Sequence, residues 1–380
     1  MQIAEHPTTW ARQMSGRDDE GRPILAVLAK RSYQVTSRGQ CEVATMQVPL
    51  VTEPQLDPEN GDLLRHDSDL FPYKPACDII IKGSAYAPGS MTTFEAAVRV
   101  GAIAKRLLVV GKRSCSLSHD DRLLFSAPEV VSSVPLRYDH AYGGRDSCAE
   151  AKYGNPIAAM QPYVENDLDL GLASPYRYPR NPCGTGFLTE LSRDGIEQLR
   201  LPQLEDPLDP LTPERVAVGV NLSWLAMPLP QATDFVNYTW FPRMAYCGFL
   251  PAAEPYGARI AEVERGFTPE NILEEEKVDL RLTNGASLGL QLAHLHGGEA
   301  IELVNMHPRQ PIWRLSLPKE RPALMTDGRK GRLNKTQSLI YSIVIEPDEE
   351  RISVVWCGAA RALRDYLPEE LETMPFSARF

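Results

Sequence analysis

The sequence predicts a mainly β fold: two closely packed β-sandwich-like halves with long Pro/Gly-rich loops and few short helices. Three observations carry that expectation. Proline and glycine are abundant, 32 and 26 of 380 residues, which means many turns and few long helices. Residues 92–111 alternate with period two, placing Phe94, Ala96, Val98 and Val100 on one face and Glu95 and Arg99 on the other. Apolar runs at 339–345 and 352–356 flank the sequence Glu-Pro-Asp-Glu-Glu, a hairpin signal. The chain is long enough to bury a large core.

The elements follow in order. Residues 1–22 are polar and mixed and read as a loosely held arm. Residues 23–35 (PILAVLAKRSYQV) read as a first strand, with 40–51 as its partner. Residues 55–75 are rich in Asp, Pro and Gly and lack periodicity, so they read as a long loop. Residues 76–88 form an apolar strand broken at Gly83. In the 92–111 hairpin, Gly101-Ala102 makes the turn. Residues 123–138 lead into the stretch described below, and 145–200 hold turn after turn, including Asn155-Pro156 and Ser174-Pro175. Residues 201–213 (LPQLEDPLDPLTP) form a Pro-rich connection between an N-terminal β-rich half, 1–200, and a C-terminal one, 214–380. Thr268-Pro269 reads as an N-cap and first helical residue, starting a short helix to Lys277. Strands return at 287–296, 299–306 and 312–317. Residues 361–373 read as a terminal helix, with Leu363, Tyr366 and Leu367 on one face. There is no internal repeat.

The chain is organised around residues 135–144, Pro-Leu-Arg-Tyr-Asp-His-Ala-Tyr-Gly-Gly. Paired glycines, Gly143 and Gly144, allow backbone angles or close approaches that a Cβ would block. Asp139 can fix the His140 imidazole if irregular backbone turns both side chains the same way. One reading is a site: a general base, or a docking surface presenting Tyr138, His140 and Tyr142. The other is a strand ending in a glycine turn, with His140 hydrogen-bonded inside the fold. A second cluster, Tyr238, Trp240, Phe241 and Arg243, reads as an aromatic core with Arg243 paired at its edge, or as a protein-binding hot spot.

Several function classes are disfavoured. The net charge is −10, from 40 basic and 50 acidic residues, which argues against a dedicated nucleic-acid binder. The seven cysteines are scattered without a Cys-x-x-Cys pair, which reads as reduced thiols in a cytosolic protein. No basic and apolar leader opens the sequence, and no run approaches the ~18 apolar residues of a spanning helix. The glycines of residues 181–187 (NPCGTGF) lack the strand–GxGxxG–helix context of a phosphate cradle. His294 and His296 share a strand face, a candidate metal pair, but the sequence nominates no third ligand. No Gly-x-Ser-x-Gly elbow and no carboxylate pair stands out. No cofactor is expected.

Taken together, these stretches resemble one family. Residues 78–88 (DIIIKGSAYAP), 110–113 (VGKR), 134–144 (VPLRYDHAYGG), 181–187 (NPCGTGF) and 201–207 (LPQLEDP) occur in the order that family shows. Residues 240–243 (WFPR), 298–308 (GEAIELVNMHP) and the closing hairpin ending in Val355-Trp356 continue it. The chain resembles the DUF2169 family, a domain of unknown function that accompanies type VI secretion effectors in Gram-negative bacteria. Members often carry a Trp where this chain has Ser114-Cys115, and Trp-Arg-Gly where it has Trp356-Cys357-Gly358. The resemblance implies a cytoplasmic adaptor or chaperone. Such a protein binds an effector with a PAAR or PAAR-like domain and helps load it onto the VgrG spike. It implies no catalytic residues; from charge and apolar patterning, neither nucleic acid nor membrane is expected as a partner. Tyr138, Asp139, His140, Tyr142, Gly143, Gly144, Tyr238, Trp240 and Arg243 are then the expected residues for contact, or for shaping it. The alternatives are a hydrolase or lyase using Asp139 and His140, and a carbohydrate-binding β module.

Overall fold

A computed structural model describes residues 4–6, 9–120, 122–154, 176–217, 227–241, 243 and 283–380. Two sheets, one of eight strands and one of five, dominate them. In chain order their strands are β1 (Ala4–His6), β2 (Thr9–Arg17), β3 (Pro23–Val35), β4 (Cys41–Val43), β5 (Cys77–Ile81), β6 (Thr93–Val100) and β7 (Ile103–Val110). They continue with β8 (Leu204–Glu205), β9 (Gln291–Leu292), β10 (Ala300–Val304), β11 (Ile312–Ser316), β12 (Gln337–Glu346) and β13 (Arg351–Arg361). The larger sheet runs β1-β2-β3-β13-β12-β5-β9, with β4 paired to the end of β3. The smaller runs β8-β7-β6-β10-β11. The α-helices among the described residues are short: Ser147–Tyr153, Arg193–Gln198 and Pro368–Thr373. The fold is mainly β, as the alternation and the turn residues predict.

Both sheets draw on the chain from either side of residues 201–213. β3 pairs with β13 from Gln34↔Arg351 to Ile24↔Arg361, β5 runs parallel to β12, and β6 pairs with β10. The Pro-rich connection itself supplies β8, where Leu204 lies opposite Val109. The two predicted hairpins form. β6 and β7 turn at Gly101, whose φ is +57°, and β12 and β13 turn through Pro347–Glu349.

Other expectations shift. The expected arm contains β2, which pairs with β3 from Trp10↔Lys30 to Arg17↔Pro23. Backbone pairing along a full-length neighbour orders it without strong apolar patterning. The expected strands at 40–51 and 287–296 shrink to β4 and β9. The terminal helix covers only Pro368–Thr373, because β13 continues to Arg361 and Pro is well placed in a helix's first turn. The expected helix at 268–277 and the turns at Asn155-Pro156 and Ser174-Pro175 lie outside the described residues.

One apolar core joins the sheets. Val27, Tyr33, Ile79, Ile343, Val354 and Trp356 enter it from the larger, and Phe94, Val98, Leu107, Ile301, Leu303 and Trp313 from the smaller. Burying such side chains contributes about 1.5–3 kcal/mol each. Trp356 meets Tyr33 and Phe380 edge-on, with ring centroids 6.5 and 5.2 Å away. Ala26, Leu28, Tyr341, Val355 and Cys357 form a second cluster. Alternate residues of β3 therefore serve different clusters, which explains its near-continuous burial.

The acidic segment at 55–75, expected as a long loop, holds a short antiparallel pair, Gln55–Leu56 with Leu64–His66; it covers the outer cluster, and its charges hold it there. Gly16 makes room for Pro72, whose Cγ would lie 2.2 Å from a Cβ at that position. The Pro72 carbonyl accepts from Tyr341 and Cys357. Asp69 accepts from the fully buried Lys30 at 2.7 Å and from the Val51 N–H at 2.8 Å. Lys74 donates to Asp78 at 2.7 Å. The Asp78 carboxylate also accepts from the N–H groups of Gly285 and Ala286 and the amide of Asn284. A buried pair of this kind is costly to break from one side, because the remaining charge stays desolvated. Lys30→Met should lower unfolding free energy by about 3–5 kcal/mol at neutral pH. Urea denaturation measures it, and a loss below about 1 kcal/mol would show that Asp69 finds solvent or another cation.

Candidate functional site

The two glycine motifs fold against one another. Tyr138–His140 makes one 3-10 turn. The next residues then run parallel to the second motif, with Tyr142 opposite Thr185 and Gly143 opposite Gly186. The backbones come so close that side chains are excluded. A Cβ on Gly143 would lie 2.2 Å from the Asn181 carbonyl oxygen, and one on Gly144 would lie 2.6 Å from that of Gly184. Their φ angles, +148° and +108°, belong to the region that glycine enters most readily. Asn181 ties the two segments together. Its Nδ2 donates to the carbonyls of Tyr138 (2.8 Å) and Tyr142 (3.0 Å). Its own carbonyl accepts from the Gly144 N–H at 2.8 Å. The N–H groups of Thr185 and Phe187 donate to the carbonyls of Ala141 and Gly143, each at 3.0 Å.

Two further motifs join this clasp and close a cleft beside it. The Gln203 N–H donates to the His140 carbonyl, and the Val110 N–H to the Gln203 carbonyl, both at 2.9 Å. Arg113 forms an ion pair with the buried Glu205 and donates to the Pro202 carbonyl. The cleft has a volume of about 770 Å³. Its walls are Lys112, Arg113 and Ser114, then Asp139 and His140, then Cys183, Gly184 and Thr185, and finally Leu199, Arg200, Leu201 and Gln203. Residues 110–113, 134–144, 181–187 and 201–207, far apart in the chain, thus meet around one opening.

The expected site residues divide into two groups. Tyr138, Tyr142, Trp240 and Arg243 are buried, as are Gly143 and Gly144. Tyr138 meets Trp240 edge-on with centroids 5.3 Å apart, and Tyr142 meets Tyr178 at 5.2 Å. Burial pushes the Tyr142 phenol well above its ordinary pKa. Arg243 donates to Asp67 at 2.7 Å and to the Val236 carbonyl. The aromatic segment is therefore core with Arg243 paired inside it, and it shapes the site from beneath. Tyr238 is half-buried. Asp139 and His140 reach the cleft itself.

Asp139 and His140 do not act as a pair. Both Asp139 oxygens accept from Arg137, Oδ1 from Nε and Oδ2 from Nη2. His140 Nδ1 instead faces Gln203 Oε1 at 3.3 Å. Gln203 Nε2 donates to the Val110 carbonyl, which fixes the orientation of that amide. An amide oxygen only accepts, so the Nδ1–H is the donor across this contact. Cys183 lies in the same cleft, and its thiol donates to Asn181 Oδ1 at 3.2 Å. Burial, with the Asp139 charge added, pushes that thiol well above its ordinary pKa. The thiolate is the reactive form, so this environment holds Cys183 in its unreactive one. At the other candidate, His294, both ring nitrogens face carbonyls, those of Ile340 and Lys74. Among the described residues no group of three His, Cys, Asp or Glu is placed to hold a metal ion.

Asn181, Gln203, Lys112 and Arg200 also belong to the site. Asn181 was visible only as the opening of an Asn-Pro turn, and Lys112 only as part of a motif. Arg200 carries no sequence signal at all.

Beneath the cleft, burial pushes the Asp234 carboxyl up to about 6 against the pull of Lys82 and Arg137, while Asp139 adds to the rise. Its Oδ1 accepts from the Phe235 N–H at 2.8 Å. Between about pH 4 and 6 the folded chain holds a proton that the unfolded chain has released. Stability linked to Asp234 is therefore complete below about pH 4 and lost as pH rises through about 6. Asp234→Asn should remove this decline, gaining on the order of 1–3 kcal/mol over the native chain above pH 7 relative to pH 4. Denaturant midpoints across that range test it, and parallel profiles for the two proteins would contradict it.

Asn181→Ala should cost about 1–3 kcal/mol, since buried carbonyls lose their donor. Asn181→Asp should cost more, because it sets a carboxylate oxygen against those carbonyls. Urea unfolding ranks the two variants, and an Asp variant as stable as the native chain would refute the clasp's polarity.

No helix among the described residues is long and apolar enough to cross a membrane. Comparison with curated proteins and with solved structures returned no match. A family model matches residues 20–357, and the chain belongs to that family, described as an uncharacterized protein conserved in bacteria (DUF2169).

Proposed function

We propose that this chain is an effector adaptor of a type VI secretion system. It binds an effector carrying a PAAR or PAAR-like domain in the cytoplasm of a Gram-negative cell and helps load it onto the VgrG spike. One observation carries this reading: four motif stretches of the family resemblance meet around a single cleft, and their polar groups are engaged mainly with one another. Asn181 serves backbone carbonyls, Asp139 serves Arg137, and Arg113 serves Glu205. That arrangement suits a preorganised contact surface, in which rigidity lowers the entropy lost on binding. A hydrolase or lyase built on Asp139 and His140 gains less support, because the carboxylate is committed to Arg137 and the nearby thiol is held protonated.

The chain should be purified with an affinity tag from its native host, and the proteins that accompany it identified by mass spectrometry. A PAAR or PAAR-like protein is expected in stoichiometric amount. Deleting the gene for this chain should stop secretion of that effector while leaving its messenger RNA unchanged. Secretion at the native level after deletion would end this reading.

A further inference from the structure

We propose that the cleft beside the clasp receives an acidic, extended peptide segment of the partner, its carboxylates held by Lys112 and Arg200. This rests on the adaptor reading and names the chemistry that the partner must bring. The charges around the cleft do not cancel. Arg137 neutralises Asp139, and Glu205 neutralises Arg113. Lys112 and Arg200 are exposed, and neither has a carboxylate partner among the described residues. Unpaired cations are thus gathered at one opening of a chain whose net charge is −10.

The walls add hydrogen-bonding capacity. His140 Nε2 is the ring nitrogen that Gln203 does not engage. The cationic rim, with an imidazole nitrogen on the wall, matches a peptide that offers carboxylates and other polar groups. The volume, about 770 Å³, falls within the roughly 300–1,000 Å³ of sites that enclose a ligand.

The test uses the full chain and fluorescein-labelled Gly-Asp-Glu-Asp-Glu-Gly, with Gly-Asn-Gln-Asn-Gln-Gly as its uncharged twin. Fluorescence anisotropy at low salt should show the acidic peptide binding about tenfold or more tightly than the twin. The double variant Lys112→Glu/Arg200→Glu should abolish that preference without changing the urea midpoint. Both side chains are exposed, and Lys112→Met/Arg200→Met replaces the variant if reversal impairs folding. Equal affinity for the two peptides, or a preference that survives in the variant, overturns the proposal. So does tighter binding of a six-nucleotide oligothymidylate, which would assign the cleft to nucleic acid. Co-purification separates this proposal from the adaptor reading. A PAAR protein recovered equally with native and reversed chains removes the cleft assignment alone. Selective peptide binding by a chain that recovers no PAAR protein removes the adaptor reading alone.

Discussion

Two backbone segments, distant in sequence, lie too close for any side chain to fit between them. That contact, of Gly143 and Gly144 with Asn181 and Gly184, is the constraint on which the site depends. Each glycine carries a positive φ or faces an oxygen that would clash with a Cβ. One buried amide, that of Asn181, satisfies carbonyls on the opposing segment. Tyr138 and Tyr142, on either side of the turn, anchor the segment to Trp240 and Tyr178. His140 is held between, and the strand at Leu204–Glu205 fastens the whole to the smaller sheet. The cleft is what remains open after these contacts are made.

The fold handles charge in two ways, and the contrast bears on function. Inside, Lys30, Lys74 and Arg243 each meet an aspartate, and those aspartates lie in or beside the acidic loop that closes over the larger sheet. Such pairs are weak evidence for net stability, but breaking one from a single side is severe. They fix where the loop lies. At the cleft, Lys112 and Arg200 have no such partner among the described residues, while their neighbours Arg113 and Asp139 do. An acidic chain with unpaired cations at one opening has a directional field there, and such fields favour encounter with a partner of opposite charge.

Much of the scaffold was legible in the sequence because its strands obey simple periodicity. Residues 23–35 and the hairpins at 92–111 and 339–356 appear nearly where apolar runs, the alternation of 92–111 and the turn residues place them. β2 was not legible. Its pattern is mixed, and the long neighbour that orders it is a tertiary fact. The helix expected from residue 361 failed for the same reason, since β13 extends through Arg361 to pair with Ile24. At the site, the glycines of the 135–144 stretch announced irregular backbone, and the structure supplies it. The adjacency of Asp139 and His140 suggested a pair, yet Arg137, two residues from Asp139, is the closer electrostatic match. Trp240 and Arg243 were read both as core and as hot spot, and their burial places them in the core. Lys112 and Arg200 gain meaning only once the cleft exists, because an isolated basic residue is indistinguishable from any solvated one.

The network of clasp hydrogen bonds implies that the motif stretches form a rigid platform in the free chain. Amide hydrogen exchange of the free chain, resolved to single residues by NMR or by fragmentation mass spectrometry, tests this most directly. The N–H groups of Gly144, Thr185 and Phe187, which close the clasp, should exchange as slowly as those of β12 and β13 at the centre of the larger sheet. Exchange of these three amides at the rate of the exposed Gly61 turn would contradict it.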